Sequence, residues 1–234
     1  NGAITMSVPA GMHWPQAGVA YNEKIAVDGA EFVINTKAFT IDSPNGYAAI
    51  TFSSGKASDF GLPSIVGARA YGLVVPNALQ AVSFTIYGTT LKIWIEGAGG
   101  SYDTGVAITP EADVTIKFAV EDDAIVFYVN DTKLQATVEG EPVDVEIPAE
   151  GIIDADGKAF LALSAVGWGS SGTEAFTVKT INGEAANDFG KIWSDAHTTG
   201  DNGYTLGSIT TVDNELVLNC DGTWFSYAGT TLMK

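Results

Sequence analysis

The side chains best suited to binding a sugar lie within 82–96, where apolar and polar residues alternate strictly. The polar positions include Thr85, Tyr87, Lys92, Trp94 and Glu96. Because strict alternation gives a strand one buried face, these five side chains should share the opposite face. Aromatic rings among hydroxyl and charged groups can stack on sugars and hydrogen-bond to their hydroxyls, so a glycan-binding surface is one interpretation. The other is that a second layer or loop covers Tyr87 and Trp94.

A β-hairpin must position this face. Gly88-Thr89 fits a two-residue type II′ turn, which takes glycine first. That turn predicts that Ile86 pairs with Leu91 on the core side, and Ser83 with Trp94 on the other. A second hairpin is predicted to turn at Asp122-Asp123, with residues 116, 118 and 120 facing the core.

Strand candidates recur along the chain at the spacing typical of a β-sandwich. They are 3–8, 31–36, 47–53, 71–75, 82–87, 90–96, 113–120, 124–130, 133–138, 143–147, 159–166, 175–181, 204–212 and 215–219. Residues 20–26 and 182–189 are the only candidates for short helical turns. The pattern predicts an all-β fold, an antiparallel two-sheet jelly-roll β-sandwich.

Charge and composition exclude several classes of partner. The net charge is −17 and Arg69 is the single arginine, so nucleic acid and anionic membrane surfaces are disfavoured. No run of 18 apolar residues exists, which predicts no membrane insertion. The single cysteine, Cys220, excludes an intramolecular disulfide.

A glycine-rich stretch, 167–172, matches the spacing G-x-G-x-x-G. The phosphate-binding form of this motif must open a helix, whereas residues 173–179 alternate as a strand. We therefore expect a hairpin loop that carries Trp168. This residue is a second ligand candidate, unless it folds over the end of the sandwich.

Metal and catalytic patterns are weak. Residues 154–158 resemble the opening of a calcium loop but lack the later ligands, so a turn is expected and no cofactor is predicted. Calcium in another Asp- and Asn-rich turn remains an alternative. His13 and His197 lack a zinc motif. Glu141, Asp144 and Glu146 lie in a stretch that contains Pro142 and Pro148, as in an edge strand guarded by charges, so no enzyme is predicted. A hydrolase with an unrecognised acid pair is the alternative.

Two stretches resemble the concanavalin A-like lectin/glucanase and laminin-G-like superfamily. The hairpin 114–134 resembles its strand, turn and v-Y-v-N-G-x-x-l hairpin, and 159–164 with 175–183 resembles its closing strands. The resemblance covers 1–186 and implies a jelly roll, often a carbohydrate-binding or adhesion module. The catalytic E-x-D-x-x-E strand of the glucanases is absent, and the metal-binding loop of legume lectins is not recognisable, so neither property carries over.

The predicted organisation is a sandwich at 1–186 followed by 187–234. The second segment is either a β extension on the sandwich or the start of a following repeat, because 216–224 echoes 4–14 and Gly229 echoes Gly18. The predicted function is a noncatalytic polysaccharide-binding module of a secreted or surface bacterial protein, within a longer multidomain chain. The alternative is a structural or adhesion domain without glycan binding.

Overall fold

The computed structural model describes residues 2–10, 12–55, 80–97, 100–187, 193–196, 208–212, 215–219 and 227–232. These residues form strands, turns and loops and include no helix, which confirms the predicted all-β class. The helical turn predicted at 20–26 is wrong, because those residues belong to a long strand. Residues 182–187 form a turn and a short strand rather than a helix. The predicted strand 71–75 lies outside the described residues.

The first half of the chain contributes strands to both main sheets. They are β1 (Ile4–Val8), β2 (Met12–Ala26), β3 (Glu31–Thr36), β4 (Tyr47–Ser53), β5 (Ala81–Tyr87), β6 (Lys92–Gly97), β7 (Gly100–Ala107), β8 (Asp113–Glu121), β9 (Ala124–Val129) and β10 (Thr132–Lys133). The second half adds β11 (Gln135–Val138), β12 (Glu141–Asp144), β13 (Ile147–Pro148), β14 (Lys158–Gly169), β15 (Thr173–Ile181), β16 (Glu184–Ala185), β17 (Trp193–Ala196), β18 (Ser208–Val212), β19 (Glu215–Asn219) and β20 (Tyr227–Leu232).

The described strands form two large sheets. The first runs β10-β9-β8-β3-β15-β1-β19-β18, with β13 on β9 and β16 on β15. The second runs β17-β20-β2-β14-β4-β5-β6-β7, and β11 and β12 form a separate pair. All described pairings are antiparallel except β1 with β19 and β2 with β20. The antiparallel two-sheet sandwich that the alternating pattern predicts is therefore present.

Five phenylalanine rings join the two sheets. Phe118 of the first sheet packs edge-on against Phe52 of the second, with ring centroids 5.1 Å apart. Phe84 of the second sheet lies 6.4 Å from the same ring, and Phe127 and Phe32 of the first lie 5.1 and 5.8 Å from it. All five side chains are fully buried. The alternating apolar residues of both sheets thus interdigitate in one core.

The hairpin predicted at Asp122-Asp123 is confirmed, with Phe118 opposite Phe127. Both turn residues have positive φ, 47° and 65°, as a two-residue turn of type I′ requires.

The register predicted for the other hairpin is wrong. Ile86 pairs with Ile93 rather than Leu91, and Thr85 pairs with Trp94, so the connection is Gly88 to Leu91. The Leu91 N–H donates to the Gly88 carbonyl at 3.2 Å, and Phe39 N–H donates to the same oxygen. The hydrogen bond from the segment before β4 thereby stabilises a loop that is longer than the two-residue turn predicted from local sequence. The shift is two residues, so each side chain keeps its predicted face.

Several strands were not predicted from the sequence pattern. In β2, the pairing with β14 shifts register twice, which breaks any simple alternation. β7 follows a glycine-rich stretch that looks like a break, and β17 and β20 are short and polar. Across the described residues, no helix is long and apolar enough to cross a membrane.

Candidate functional site

The predicted ligand side chains lie on the face of the second sheet that points away from the phenylalanine core. Thr85 lies between Ala49 of β4 and Trp94 of β6, and Trp94 lies opposite Asp103 of β7. The row across these four strands therefore runs from small and buried residues to an exposed acid at the edge of the sheet.

The inner part of this face is buried. Thr85 is 0% and Tyr87 6% exposed, and Tyr87 packs with Tyr47, Ala49 and Val166 in a second, smaller cluster. The Thr85 hydroxyl donates to the Trp94 carbonyl at 2.6 Å. Thr85 and Tyr87 therefore have little or no surface that a ligand could contact.

Trp94 lies at the boundary between this inner layer and the open edge. Its side chain is half-buried and meets Tyr87 edge-on, with ring centroids 6.4 Å apart at 67°. Asp103 lies opposite it, and Ser101 lies opposite the half-buried Glu96; both β7 side chains are exposed. The Trp94 indole and the Glu96 carboxylate on β6 thus lie next to the Ser101 hydroxyl and the Asp103 carboxylate on β7.

Sequence reasoning does not find Ser101 and Asp103, because the glycine-rich residues 97–100 look like a break between strands. The signal was the alternation that follows it, in which Tyr102 packs on the core and Thr104 is buried. The Thr104 hydroxyl donates to the Ile93 carbonyl at 2.9 Å, which ties β7 to β6.

Lys92 is anchored at the other end of this edge. Its ammonium lies 2.9 Å from the Asp42 carboxylate. That hydrogen bond is the largest cause of a raised pKa for Lys92, so the side chain stays charged at neutral pH. Lys92 therefore serves first as the partner of Asp42.

Trp168 lies apart from Trp94. Its N–H and carbonyl exchange hydrogen bonds of 2.9 and 2.8 Å with Ser171, so residues 168–171 form a tight turn in which Gly169 has φ 52°. β15 follows as a strand, so no helix opens after the glycine-rich stretch. The predicted hairpin is wrong, because β14 and β15 lie in different sheets and the turn connects one sheet to the other. β14 and β6 are three strand spacings apart, roughly 14 Å. The structure does not bring the two indoles together in one contact surface.

A pocket of about 330 Å³ lies beside the Trp168 turn. Ser7, Val8, Pro9, Ala10, Thr40, Gly172, Thr173 and Glu174 line it. The Thr40 hydroxyl donates to the Ser170 carbonyl and accepts from the Gly172 N–H at 3.1 Å. The Thr40 hydroxyl thus stabilises the turn.

Two of the acidic side chains, Glu121 and Asp144, share one lysine. Lys133 lies 3.0 Å from Glu121 and 2.9 Å from Asp144. The pKa of Glu121 is lowered by hydrogen bonds from Tyr128 and Lys133, and that of Asp144 by Gln135 and Lys133. A general acid in glycoside hydrolysis needs a raised pKa, so this pair is poorly suited to the role.

The predicted turn at 154–158 is confirmed. Asp154 Oδ1 accepts the N–H groups of Asp156 and Lys158, both at 3.0 Å, and Lys24 lies 3.1 Å from its other oxygen. The Lys158 N–H is the largest cause of a lowered pKa for Asp154. Within the described residues, no cluster of three or more His, Cys, Asp or Glu could hold a metal ion.

Comparison with known proteins gives likenesses of fold only. No family model and no curated protein matches the chain. The legume lectin-like domain from Entamoeba histolytica is 12% identical, covering 75% of this chain and 81% of that one with a TM-score of 0.44. The laminarinase catalytic domain from Thermotoga maritima is 10% identical over 69% and 66% with a TM-score of 0.39. The β-glucanase of Bacillus licheniformis is 10% identical over 68% and 69% with a TM-score of 0.35.

These similar structures are lectin-like and glucanase folds, the groups to which the sequence resemblance pointed. At such identities and scores the likeness supports no conclusion about the activity of this chain. The described strands and their pairing define the class of this protein as an antiparallel two-sheet β-sandwich.

Proposed function

We propose that this chain is a noncatalytic polysaccharide-binding module, and that Trp94 is its central contact. The observation that carries the proposal is the placement of the half-buried indole beside the exposed strand β7, with Asp103 directly opposite. Tyr87 packs edge-on against the ring, at 6.4 Å between centroids. A ring that packs against a buried neighbour has fewer orientations to lose, which lowers the entropy cost of binding.

The polar groups next to Trp94 favour a neutral ligand. Ser101 and Asp103 are exposed on β7, and Glu96 lies two residues beyond Trp94 on the same face. Carboxylates accept hydrogen bonds from sugar hydroxyls, whereas the net charge of −17 repels anionic polymers. We therefore propose an uncharged polysaccharide as the ligand, and a secreted or cell-surface bacterial protein with further domains as the natural context.

A second candidate is a structural or adhesion domain, and the burial of the inner face favours it. Thr51, Ser83, Thr85 and Tyr87 are at most 6% exposed, and Thr51 and Ser83 hydrogen-bond to each other at 2.8 Å. Much of the hydroxyl-rich face is therefore engaged within the protein. The two candidates differ in whether Trp94 contacts a ligand.

The test is affinity electrophoresis of the protein through gels that contain uncharged polysaccharides. Trp94→Ala should weaken binding about thirtyfold or more, the roughly 2 kcal/mol expected for an aromatic anchor. Tyr128→Ala is the matched control, because Tyr128 is a half-buried aromatic residue on the other sheet. If no polysaccharide retards the unmodified protein, the structural candidate is favoured. Release of reducing ends from any of these polymers would contradict a noncatalytic role.

A further inference from the structure

The pocket beside the Trp168 turn is lined by two neighbouring strand ends of the first sheet. Residues 7–10 form one wall, residues 172–174 form the other, and Thr40 completes the lining. Its volume of about 330 Å³ is at the lower end of the range typical of small-molecule sites. Ala10, Thr40 and Glu174 are exposed, so a small ligand can reach the pocket from solvent.

A β-bulge shapes one wall of this pocket. Between Met6 and Val8 and their partners, β15 has one residue more than β1, and the extra residue lies within 174–175. The Ser7 hydroxyl donates to the Glu174 carbonyl and thereby stabilises the bulge. Bulges redirect side chains and are common beside functional sites. The Glu174 side chain, which is 77% exposed, is therefore placed at the rim of the pocket.

The two walls meet at Gly172. A Cβ at this position would lie 2.5 Å from the Ala10 nitrogen and 2.7 Å from the Val8 carbonyl oxygen. The Gly172 N–H donates to the Thr40 hydroxyl at 3.1 Å, and the Thr40 N–H donates to the Gly172 carbonyl at 3.0 Å. These contacts fix the walls before a ligand arrives, which lowers the entropy cost of binding.

The polar side chains of the pocket have already used their protons within the protein. A serine or threonine hydroxyl has one proton and two lone pairs, and those of Ser7, Thr40 and Thr173 each donate to a main-chain carbonyl. The Glu174 carboxylate accepts from the Lys37 ammonium at 2.8 Å through one oxygen, and within the described residues its other oxygen has no partner. These groups offer lone pairs to a ligand, so the ligand must donate hydrogen bonds.

The charges at the rim cancel. Lys37 and Glu174 form an ion pair, and the hydrogen bond between them is the largest cause of a lowered pKa for Glu174 and a raised pKa for Lys37. Both groups therefore stay charged at neutral pH. A cationic ligand would compete with Lys37 for the carboxylate, and an anionic ligand would meet lone pairs. An uncharged ligand with several hydroxyl groups avoids both costs.

We propose that this pocket binds one uncharged sugar unit. Its hydroxyl groups donate to lone pairs of Ser7, Thr40 and Glu174, and its C–H groups contact the apolar side chains at 8–10. β1 and β15 belong to the first sheet and Trp94 to the second, so this site is separate from the proposed polysaccharide surface and does not depend on it.

The test is a ligand-observed NMR titration of the full-length chain with glucose, galactose and mannose. Ala10→Phe fills the exposed side of the pocket, and Glu174→Ala removes an acceptor. Each should weaken binding of the sugar by about tenfold or more. Ala155→Phe and Glu184→Ala are the matched controls, because both residues are exposed and lie at the far ends of β14 and β15 from the pocket. They should leave the affinity unchanged.

The amino sugar and the uronic acid with the same ring should bind no more tightly than the neutral sugar. Tighter binding of the amino sugar would show a cation site and refute the proposal. So would the absence of saturable binding for all three neutral sugars, or equal affinity in the pocket variants and their controls. Loss of sugar binding in Trp94→Ala with no loss in the pocket variants would assign the sugar to the Trp94 face. That result refutes the pocket and supports the proposed function.

Discussion

Replacing Phe118 by alanine tests the packing of the two sheets most directly. Its ring lies between 5.1 and 6.4 Å from those of Phe32, Phe52, Phe84 and Phe127, and all five side chains are fully buried. Two of these neighbours belong to the opposite sheet. Phe118→Ala therefore removes contacts within one sheet and between the two sheets at once.

The expected loss follows from the buried volume and the ring contacts. A buried Phe→Ala change costs about 3–5 kcal/mol, and the four ring contacts place Phe118 in the upper part of that range. For a chain of this size each kcal/mol shifts Tm by about 2–4 °C, so a loss of about 4 kcal/mol lowers Tm by about 8–16 °C.

Urea unfolding followed by tryptophan fluorescence, together with a thermal scan, measures this loss. The slope of the unfolding free energy against urea should stay unchanged while the midpoint falls. Phe118→Leu keeps much of the apolar volume and should lose only about 1–2 kcal/mol. A loss below about 1 kcal/mol for Phe118→Ala would refute the placement of this ring between the sheets.

Three further predictions concern a close approach, an acid titration and an ion network. Gly172→Ala should lower the free energy of unfolding by about 1–3 kcal/mol, because a Cβ there would lie 2.5 Å from the Ala10 backbone nitrogen. In the same thermal melting assay Gly100→Ala should lower it much less, because the nearest atom to a Cβ there is 3.9 Å away. The pKa of Asp113 is lowered chiefly by its hydrogen bond from Lys179. The ionised carboxylate therefore stabilises the fold above the unfolded pKa of about 3.9, and this stability is lost as pH falls further. In Asp113→Asn, Tm should therefore depend less on pH below about pH 5. An unchanged profile would contradict that linkage. Lys133→Gln should raise the pKa of Glu121 in an NMR titration, and a constant value would show that the ion pair does not form in solution.

The site was predictable only in part. Alternation places Thr85, Tyr87 and Trp94 on one face, and the structure keeps all three there despite the two-residue shift in register. Alternation carries no information on what covers a face, so the burial of Thr85 and Tyr87 was not predictable. The neighbouring Asp103 depends on the pairing of β7 with β6, across a glycine-rich connection that resembles a break.

The sequence by itself determined the strand class, the inward faces and the hairpin at Asp122-Asp123. These properties depend on residues close together in the chain, through side-chain period and through turn residues that accept positive φ. The tertiary structure alone decided the loop of Gly88 to Leu91 and the parallel pairing of β19 with β1. Both depend on hydrogen bonds and packing between segments far apart in sequence, whose free energy has no counterpart in local pattern.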